Sequence, residues 1–424
     1  MQKSTAGGSM PKWQFILAIV ALFLSSFSTL ADNLLAAVAN SVYIAFADAP
    51  EALVNFTLTG PSLIGIPACL VAGILCDRFD KKAILVFGFA VFVVGANFAT
   101  AIDNIYYFLF MRILYVSVGW GVTATAALAI LADMFSDENE HAKYVGWYNA
   151  IMAAFGSAIA IVAGNLAVGD WQNAFHIYWI SIPILVMVVI FVPSGKKLRA
   201  MRASRGEASA PETAAAISAD SSESIKGWWV RPIPFYILVF VTQMCFLAMM
   251  YMISVYVEGA GVGDAAFAGT LTSIQGICTL VFSFLFGFFF KKMHDTVHLV
   301  PIIGIGVCFI VMGAFPTQPV TIFASALIGC LWGILYSWFW AHCVDIVPAS
   351  KAGTSTGIVN VVTGFGTLCT SYLFTGLMGL GFEPAQAWGG YGVILVVVGA
   401  ICVVAYLASR KKSAHGGLDL EAEK

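Results

Sequence analysis

Charge is what this chain has least of. Asp, Glu, Lys and Arg make up 10% of its 424 residues, where an ordinary soluble domain carries about a quarter. With 60% of the residues hydrophobic, including 33 Phe and 11 Trp, a folded surface cannot be covered with polar groups, so water is excluded as the main solvent. The apolar runs are long and continuous, not alternating. That excludes a membrane β-barrel and leaves helices, whose backbone groups satisfy one another in lipid. Nine cysteines, at 69, 76, 245, 278, 308, 330, 343, 369 and 402, all lie inside apolar runs. Their spacing supports neither disulfides nor a metal set, and they read as small buried hydrophobes. There is no G-x-x-x-x-G-K-[ST] loop, which argues against ATP-driven pumping. No nucleophile–base constellation is evident, so the chain does not read as an enzyme, and no cofactor is implied. The net charge of −2, with no basic cluster interleaved with exposed aromatics, gives no support for a nucleic-acid partner.

What is present is a series of membrane-length segments. A helix crosses lipid with roughly 20 apolar residues. Twelve spans can be drawn: 13–40, 52–76, 83–101, 105–133, 143–168, 174–193, 231–257, 265–290, 298–315, 319–346, 351–378 and 386–409. The first has a signal-peptide look, with Lys3 and Lys12 before an apolar core and Thr29-Leu30-Ala31 as a cleavage-like site, but eleven further spans make it a retained helix. Basic residues sort the loops. With the N-terminus inside, 20 of the 21 Lys and Arg fall on the cytoplasmic side, and Arg112, within a span, is the exception. The opposite loops hold only acids: Asp48, Glu51, Asp103, Asp170, Glu258, Asp264 and Glu383. This pattern predicts a multi-pass protein of the cell (plasma or inner) membrane, embedded in the lipid bilayer, with both termini cytoplasmic. Residues 194–230 break the apolar pattern, basic from Lys196 to Arg205 and then rich in Ala, Ser and Glu. They read as a flexible linker whose basic half is able to touch anionic lipid. The chain then divides into an N-terminal six-helix half (1–193), the linker (194–230), a C-terminal six-helix half (231–410) and a cytoplasmic tail (411–424).

A short polar hairpin, Gly73-Ile-Leu-Cys-Asp77-Arg78-Phe79-Asp80-Lys81-Lys82, joins the second and third spans. Gly73 lies one turn before Asp77, where a small residue lets a neighbouring helix approach. The stretch resembles the loop signature of the major facilitator superfamily, G-x-L-x-D-R-x-G-R-K. Gly73, Leu75, Asp77, Arg78 and Lys82 match, Lys81 keeps the charge of the pattern's Arg, and Asp80 stands where the pattern has its second Gly. The halves also repeat. Ala132-Asp133-Met134-Phe135-Ser136 ends span four, Val344-Asp345-Ile346-Val347-Pro348 ends span ten, and Gly73 and Gly287 sit in matching places, each offset by about 212 residues. The resemblance implies an all-α integral membrane fold, with twelve transmembrane helices as two pseudo-symmetric six-helix bundles working by alternating access. It implies a conformational latch of Gly73, Asp77, Arg78, Lys81 and Asp133, with Asp77 facing the start of span eleven and the latch closing in the outward-facing state. In span four, Gly119-Trp120-Gly121 matches the glycines of the family's R-x-x-x-G-x-G. Tyr115 takes the Arg position and Arg112 lies one turn toward the outside. The antiporter branch's G-P-x-x-G-G has no counterpart in span five, where 155–160 contains no proline.

Asp32 and Arg112 carry the sharpest chemical signal. A charge at the bilayer centre costs about 2.5–3.5 kcal/mol on insertion scales, so it faces protein or a water-filled cavity. Asp32 shares a helical stripe with Ser25, Ser28 and Thr29, and Arg112 shares a face with Tyr115 and Gly119. The two stand at similar depth, either as a fixed pair pinning two helices or as working groups. Span ten carries Trp332, Tyr336 and Trp340 on one face. Span seven offers Gln243 and Tyr251, span eight Thr272, Gln275 and Thr279, and span eleven Thr356, Asn360, Thr363 and Thr367. The substrate contacts expected are Arg112, Tyr115, Gln243, Tyr251, Gln275, Trp332, Tyr336, Trp340 and Asn360. Asp32 is the expected proton carrier, with His342 as the second candidate or a packed, hydrogen-bonded ring. The reading is a monomeric, proton-coupled secondary active transporter of a small organic anion, aromatic or amphipathic. Arg112 would meet the carboxylate and the aromatic stripe the apolar body. The alternative is an exporter of neutral or cationic hydrophobic compounds with Asp32 as the cation's partner, and a non-transporting membrane sensor is a further class.

Overall fold

Apolar runs of this length have one solution in lipid, and the chain adopts it throughout. The computed structural model describes residues 11–135, 138–198, 232–293, 296–347 and 352–421, and among them there are helices and turns but no strand. Among the described residues nine helices of 19 to 29 residues are long and apolar enough to cross a membrane. A bent pair, Lys12–Ser28 and Ala31–Ala45, makes the first span, and the shorter helices Lys81–Asn97 and Leu299–Ala314 supply the third and ninth. Together these are the twelve crossings expected. The last helix runs on from Pro384 to Glu421, past the tail boundary drawn at 410. Residues 199–231, most of the linker, lie outside the described residues.

Two spans differ from the continuous helices expected. The first bends by 47°. Ser25, Ser26 and Ser28 turn their hydroxyls back onto the carbonyls of Leu22, Phe23 and Ser25 at 2.7, 2.6 and 3.1 Å. Such back-bonding competes with the helical ladder, and the backbone passes into two short 3-10 turns, Ser26–Ser28 and Ala31–Leu34. Asp32 therefore sits in an irregular turn, and Ser25 is directed to its own backbone. The seventh span is also broken, into Ile233–Phe246, Ala248–Tyr251 and Ile253–Gly259. These two spans hold corresponding places in the two halves, and their breaks face each other.

The halves meet toward the face that carries the acidic loops. There Asn40 donates its side-chain N–H to Glu258 at 2.7 Å and its backbone N–H to Ser254 at 3.0 Å. Asn55 accepts from Tyr43 and donates to Thr375, and Tyr372 reaches the carbonyl of Ala52 at 2.9 Å. Asn55 begins a glycosylation-like triplet, and the structure places it in this buried bridge. Spans five and eight cross closely where a Cβ on Gly269 would collide with the Ala160 carbonyl and one on Gly164 would lie 2.8 Å from that of Ala265. Ser273 also donates to the Ser157 carbonyl at 2.7 Å.

Candidate functional site

Pro61 is the starting point of the site. It lies inside the second span, Glu51–Arg78, and has no N–H to give the carbonyl of Thr57 one turn earlier. Arg112 takes that place: its Nε donates to Thr57 O at 2.6 Å and one Nη2 hydrogen to Leu58 O at 2.8 Å. Its remaining donors go to the Tyr115 hydroxyl at 2.8 Å, to Asp32 Oδ2 at 3.3 Å and, as an ion pair, to Asp32 Oδ1 at 2.9 Å. Four of the five guanidinium hydrogens are thereby in hydrogen bonds, and the Asp32 Oδ1 contact is an ion pair without hydrogen-bond geometry. The side chain is 0% exposed and lies 6.0 and 5.7 Å from the ring centroids of Phe108 and Tyr115. Directly after Arg112 the fourth span widens into a π-helical stretch, Ile113–Gly119, before the helix Trp120–Met134 resumes. Such widenings concentrate at functional sites.

Asp32 is the more accessible partner of the pair, though itself buried at 8% exposure. Its Oδ2 also accepts from the Tyr251 hydroxyl at 2.9 Å, and that hydroxyl lies 3.0 Å from Ser62 Oγ. One carboxylate is thus held by span four of the first half and span seven of the second. Tyr178 donates to the Ala31 carbonyl at 2.7 Å, satisfying backbone left open by the break. Against this cluster lies a cavity of about 130 Å³ lined by Asp32, Ser28, Thr29, Ser62, Tyr115, Tyr251, Trp120 and the apolar Ala31, Val116 and Met250. The Trp120 Nε1–H is buried with no acceptor among the described residues. Its ring rests on span two, where a Cβ on Gly65 would come within 2.8 Å of it.

The structure brings together Asp32, Arg112, Tyr115 and Tyr251 of the expected residues. Arg112 is taken up by these partners and is not among the residues that line the cavity. Gln243 and Gln275 are buried in the second half, Gln275 donating to Thr279 at 3.3 Å. Trp332 stacks flat on Phe246, with centroids 3.6 Å apart. Tyr336 and Trp340 continue the stripe at 5.8 and 6.0 Å, with Tyr336 exposed, as is Asn360. None of these six lines the cavity beside Asp32. His342 stacks on Trp338 at 4.6 Å and meets Phe235 edge-on at 5.3 Å, a packed ring. Ser62, Trp120 and Met250 are lining residues that the sequence reading did not select. The signal for Trp120 was its place between Gly119 and Gly121, and for Ser62 the neighbouring Pro61.

At the basic face, Lys81 pairs with Asp133 at 2.7 Å and reaches the Ala129 carbonyl at 3.4 Å. Asp80 stands in for the pattern's Gly by a different device. In an extended conformation it caps the third span, accepting from the backbone N–H of Lys82 at 2.9 Å and of Gly195 at 3.0 Å. Arg78 is exposed. Among the described residues nothing lies within 4 Å of a Cβ built on Gly73, so the helix approach expected there is not seen among them. The Asp77 side chain and Lys351 lie outside the described residues.

Helical halves that meet around a buried polar site, here where Tyr251 of the second half reaches the Asp32–Arg112 pair of the first, are a known transporter architecture. The Major Facilitator Superfamily model matches residues 21–371, and the chain belongs to that family. It is similar to an uncharacterized transporter of Buchnera aphidicola (30% identical over 129 residues, 30% of this chain and 32% of the relative). It is also similar to the methylenomycin A resistance protein of Bacillus subtilis (26% over 170 residues, 40% and 34%). The matches thus span about a third of the length of these curated relatives. Among solved structures, a peptide transporter in complex with sulfate superimposes with TM-score 0.72 at 13% identity, covering 96% of both chains. The inward-open xylose transporter of E. coli does so with 0.69 at 14%, covering 92% and 95%. The chain is a multi-pass membrane protein of that family, and the structures it resembles are transporters rather than enzymes.

Proposed function

We propose that this transporter exchanges protons for a small amphipathic compound, neutral or cationic, with the Asp32 carboxylate as the point the two share. One contrast carries the reading: Arg112 is fully buried, bonded to two carbonyls, a phenol and Asp32, and does not line the cavity, while Asp32 does. A ligand entering that cavity meets a carboxylate, five hydroxyl-bearing side chains and the open Trp120 Nε1–H. It meets no cation among the lining residues. A proton and a substrate cation that both need one carboxylate exclude each other, and exclusion at a single site is the physical basis of exchange. The resistance protein among the relatives suits such a role. The span-five proline of the antiporter branch is absent here, which counts modestly against exchange of this kind, and the Asp32 carboxylate in the cavity counts for it. The acidic face is read as the outer face and the basic face as cytoplasmic.

The opposite slopes of the two readings with pH make them separable. Binding of a lipophilic cation such as ethidium to the purified protein should tighten as pH rises, because proton and cation compete for the same carboxylate. Asp32→Asn should flatten that dependence and abolish proton-driven transport in proteoliposomes. Binding of an aromatic acid such as salicylate that tightens as pH falls would overturn the reading and restore the anion model, with Arg112 released from its bonds on binding.

A further inference from the structure

A second cavity, of about 220 Å³, opens at the basic face, far along the first span from Asp32. It is lined by Trp13 and Gln14 at the start of span one, Lys82 at the start of span three, and the segment from Ile190 to Ser194 with Lys197 at the end of span six. Its volume is on the order of seven times a water's share of the liquid. Its walls are of two kinds. On one side stand the two lysines, with Lys196 beside them in sequence and exposed. Asp80 is the nearby carboxylate, and its Oδ1 accepts from the backbone of Lys82 and Gly195. On the other side Trp13 (57% exposed) and Ile190 (62% exposed) begin two apolar ridges. Trp13, Ile16 and Val20 fall on one face of span one, and Val186 and Ile190 on one face of span six, all exposed. These ridges run from the cavity into the depth of the bilayer.

We infer that this cavity is a binding site for the headgroup of an anionic phospholipid, with its acyl chains laid between the ridges of spans one and six. The phosphate would lie between the Lys82 and Lys197 ammonium groups, and Trp13 would sit at the headgroup level that indoles favour. A free anion would explain the lysines but not the exposed apolar ridges beginning at the same opening. A zwitterionic lipid would cover the ridges but carry no net charge to the lysines. Burial lowers the Lys82 pKa from its ordinary value, Asp80 opposes this and Lys197 adds to it. A bound anion would offset both unfavourable influences. Because Asp80 ties the second-to-third-span loop to the end of span six through Gly195, an occupied site would brace that junction.

The experiment is lipid retention by the full-length protein in native mass spectrometry, with thermal shift as a second readout. The probes are dioctanoyl-phosphatidylglycerol, dioctanoyl-phosphatidylcholine and inorganic phosphate. Phosphatidylglycerol should be retained and raise Tm, phosphatidylcholine much less, and phosphate alone should not raise Tm. The double variant Lys82→Gln with Lys197→Gln should lower phosphatidylglycerol affinity about tenfold, and Lys82→Arg with Lys197→Arg should keep it. The arginine variant guards against a fold lost through the glutamines. Trp13→Ala should weaken retention while leaving the lysines in place. Equal retention of the two lipids, or unchanged phosphatidylglycerol affinity in the glutamine variant, would overturn the proposal. Stabilisation by inorganic phosphate as large as that by phosphatidylglycerol would overturn it in favour of an anion site.

Discussion

Arg112 is held by two carbonyls, a phenol and a carboxylate, and each of these depends on it in return. Removing one member of a buried pair strands the other. Arg112→Met should therefore leave Asp32 as an unpaired charge and cost about 3–5 kcal/mol, read as a large fall in Tm. Arg112→Met combined with Asp32→Leu should recover much of it, since an apolar replacement of both members is close to neutral. If the single variant melts like the parent, the pair contributes little to stability. Both charges were legible in the sequence because a charge inside an apolar run is conspicuous, and the depth argument brought them together. The orientation of the arginine was not legible. Nothing in the local pattern says that Pro61, fifty-one positions upstream, leaves a carbonyl waiting for it. Trp120 was passed over because a tryptophan in an apolar segment reads as packing, and only the unpaired Nε1–H separates it from packing.

At the scale of elements, hydropathy made the twelve spans legible and left their interruptions invisible. The serines of span one and the Leu247–Met252 stretch of span seven do not lower the mean hydropathy enough to suggest a break, yet the breaks put Asp32 and Tyr251 within 2.9 Å. The aromatic stripe of span ten was read at the right spacing. It could not show that Phe246 already covers Trp332. Pro61 tests how far local backbone shapes the site. Pro61→Ala gives the second span back an N–H that would bond Thr57 O, in competition with Arg112 Nε. Removing a helix-interior proline favours the helix by roughly 3 kcal/mol on propensity scales. The expected outcome is a Tm at or above that of the parent together with a lower transport rate. A variant that transports as well as the parent would show that Nε has no need of that carbonyl.

On the scale of the whole molecule, the half-to-half hydrogen bonds among the described residues run from the acidic face to the depth of Asp32, Ser62 and Ser157. Cysteines introduced at Asp103 and Glu383, both exposed, should react with an impermeant thiol reagent added outside cells, and one at Ser209 should not. The reverse pattern would invert the topology. The same two positions, at the acidic-face ends of different halves, suit a distance measurement between spin labels, and Glu258 supplies the variable. Its carboxylate joins the halves through Asn40, and burial raises its pKa above the ordinary glutamate value, with Asn40 opposing and Asp264 adding. Opening the acidic face would part Glu258 from Asn40 and return it to water, so the shut form should bind a proton more tightly than the open form. Shutting should therefore be favoured as the pH at that face falls through the raised pKa. The gain should be complete below the ordinary glutamate value and absent above the raised one. The population with short 103–383 distances should rise over that window. Glu258→Gln keeps a partner for Asn40 without a titrating group and should give a population that does not move with pH. A parent protein as flat as this variant, or one that opens as pH falls, would leave Glu258 as a fixed tie between the halves with no part in sensing protons.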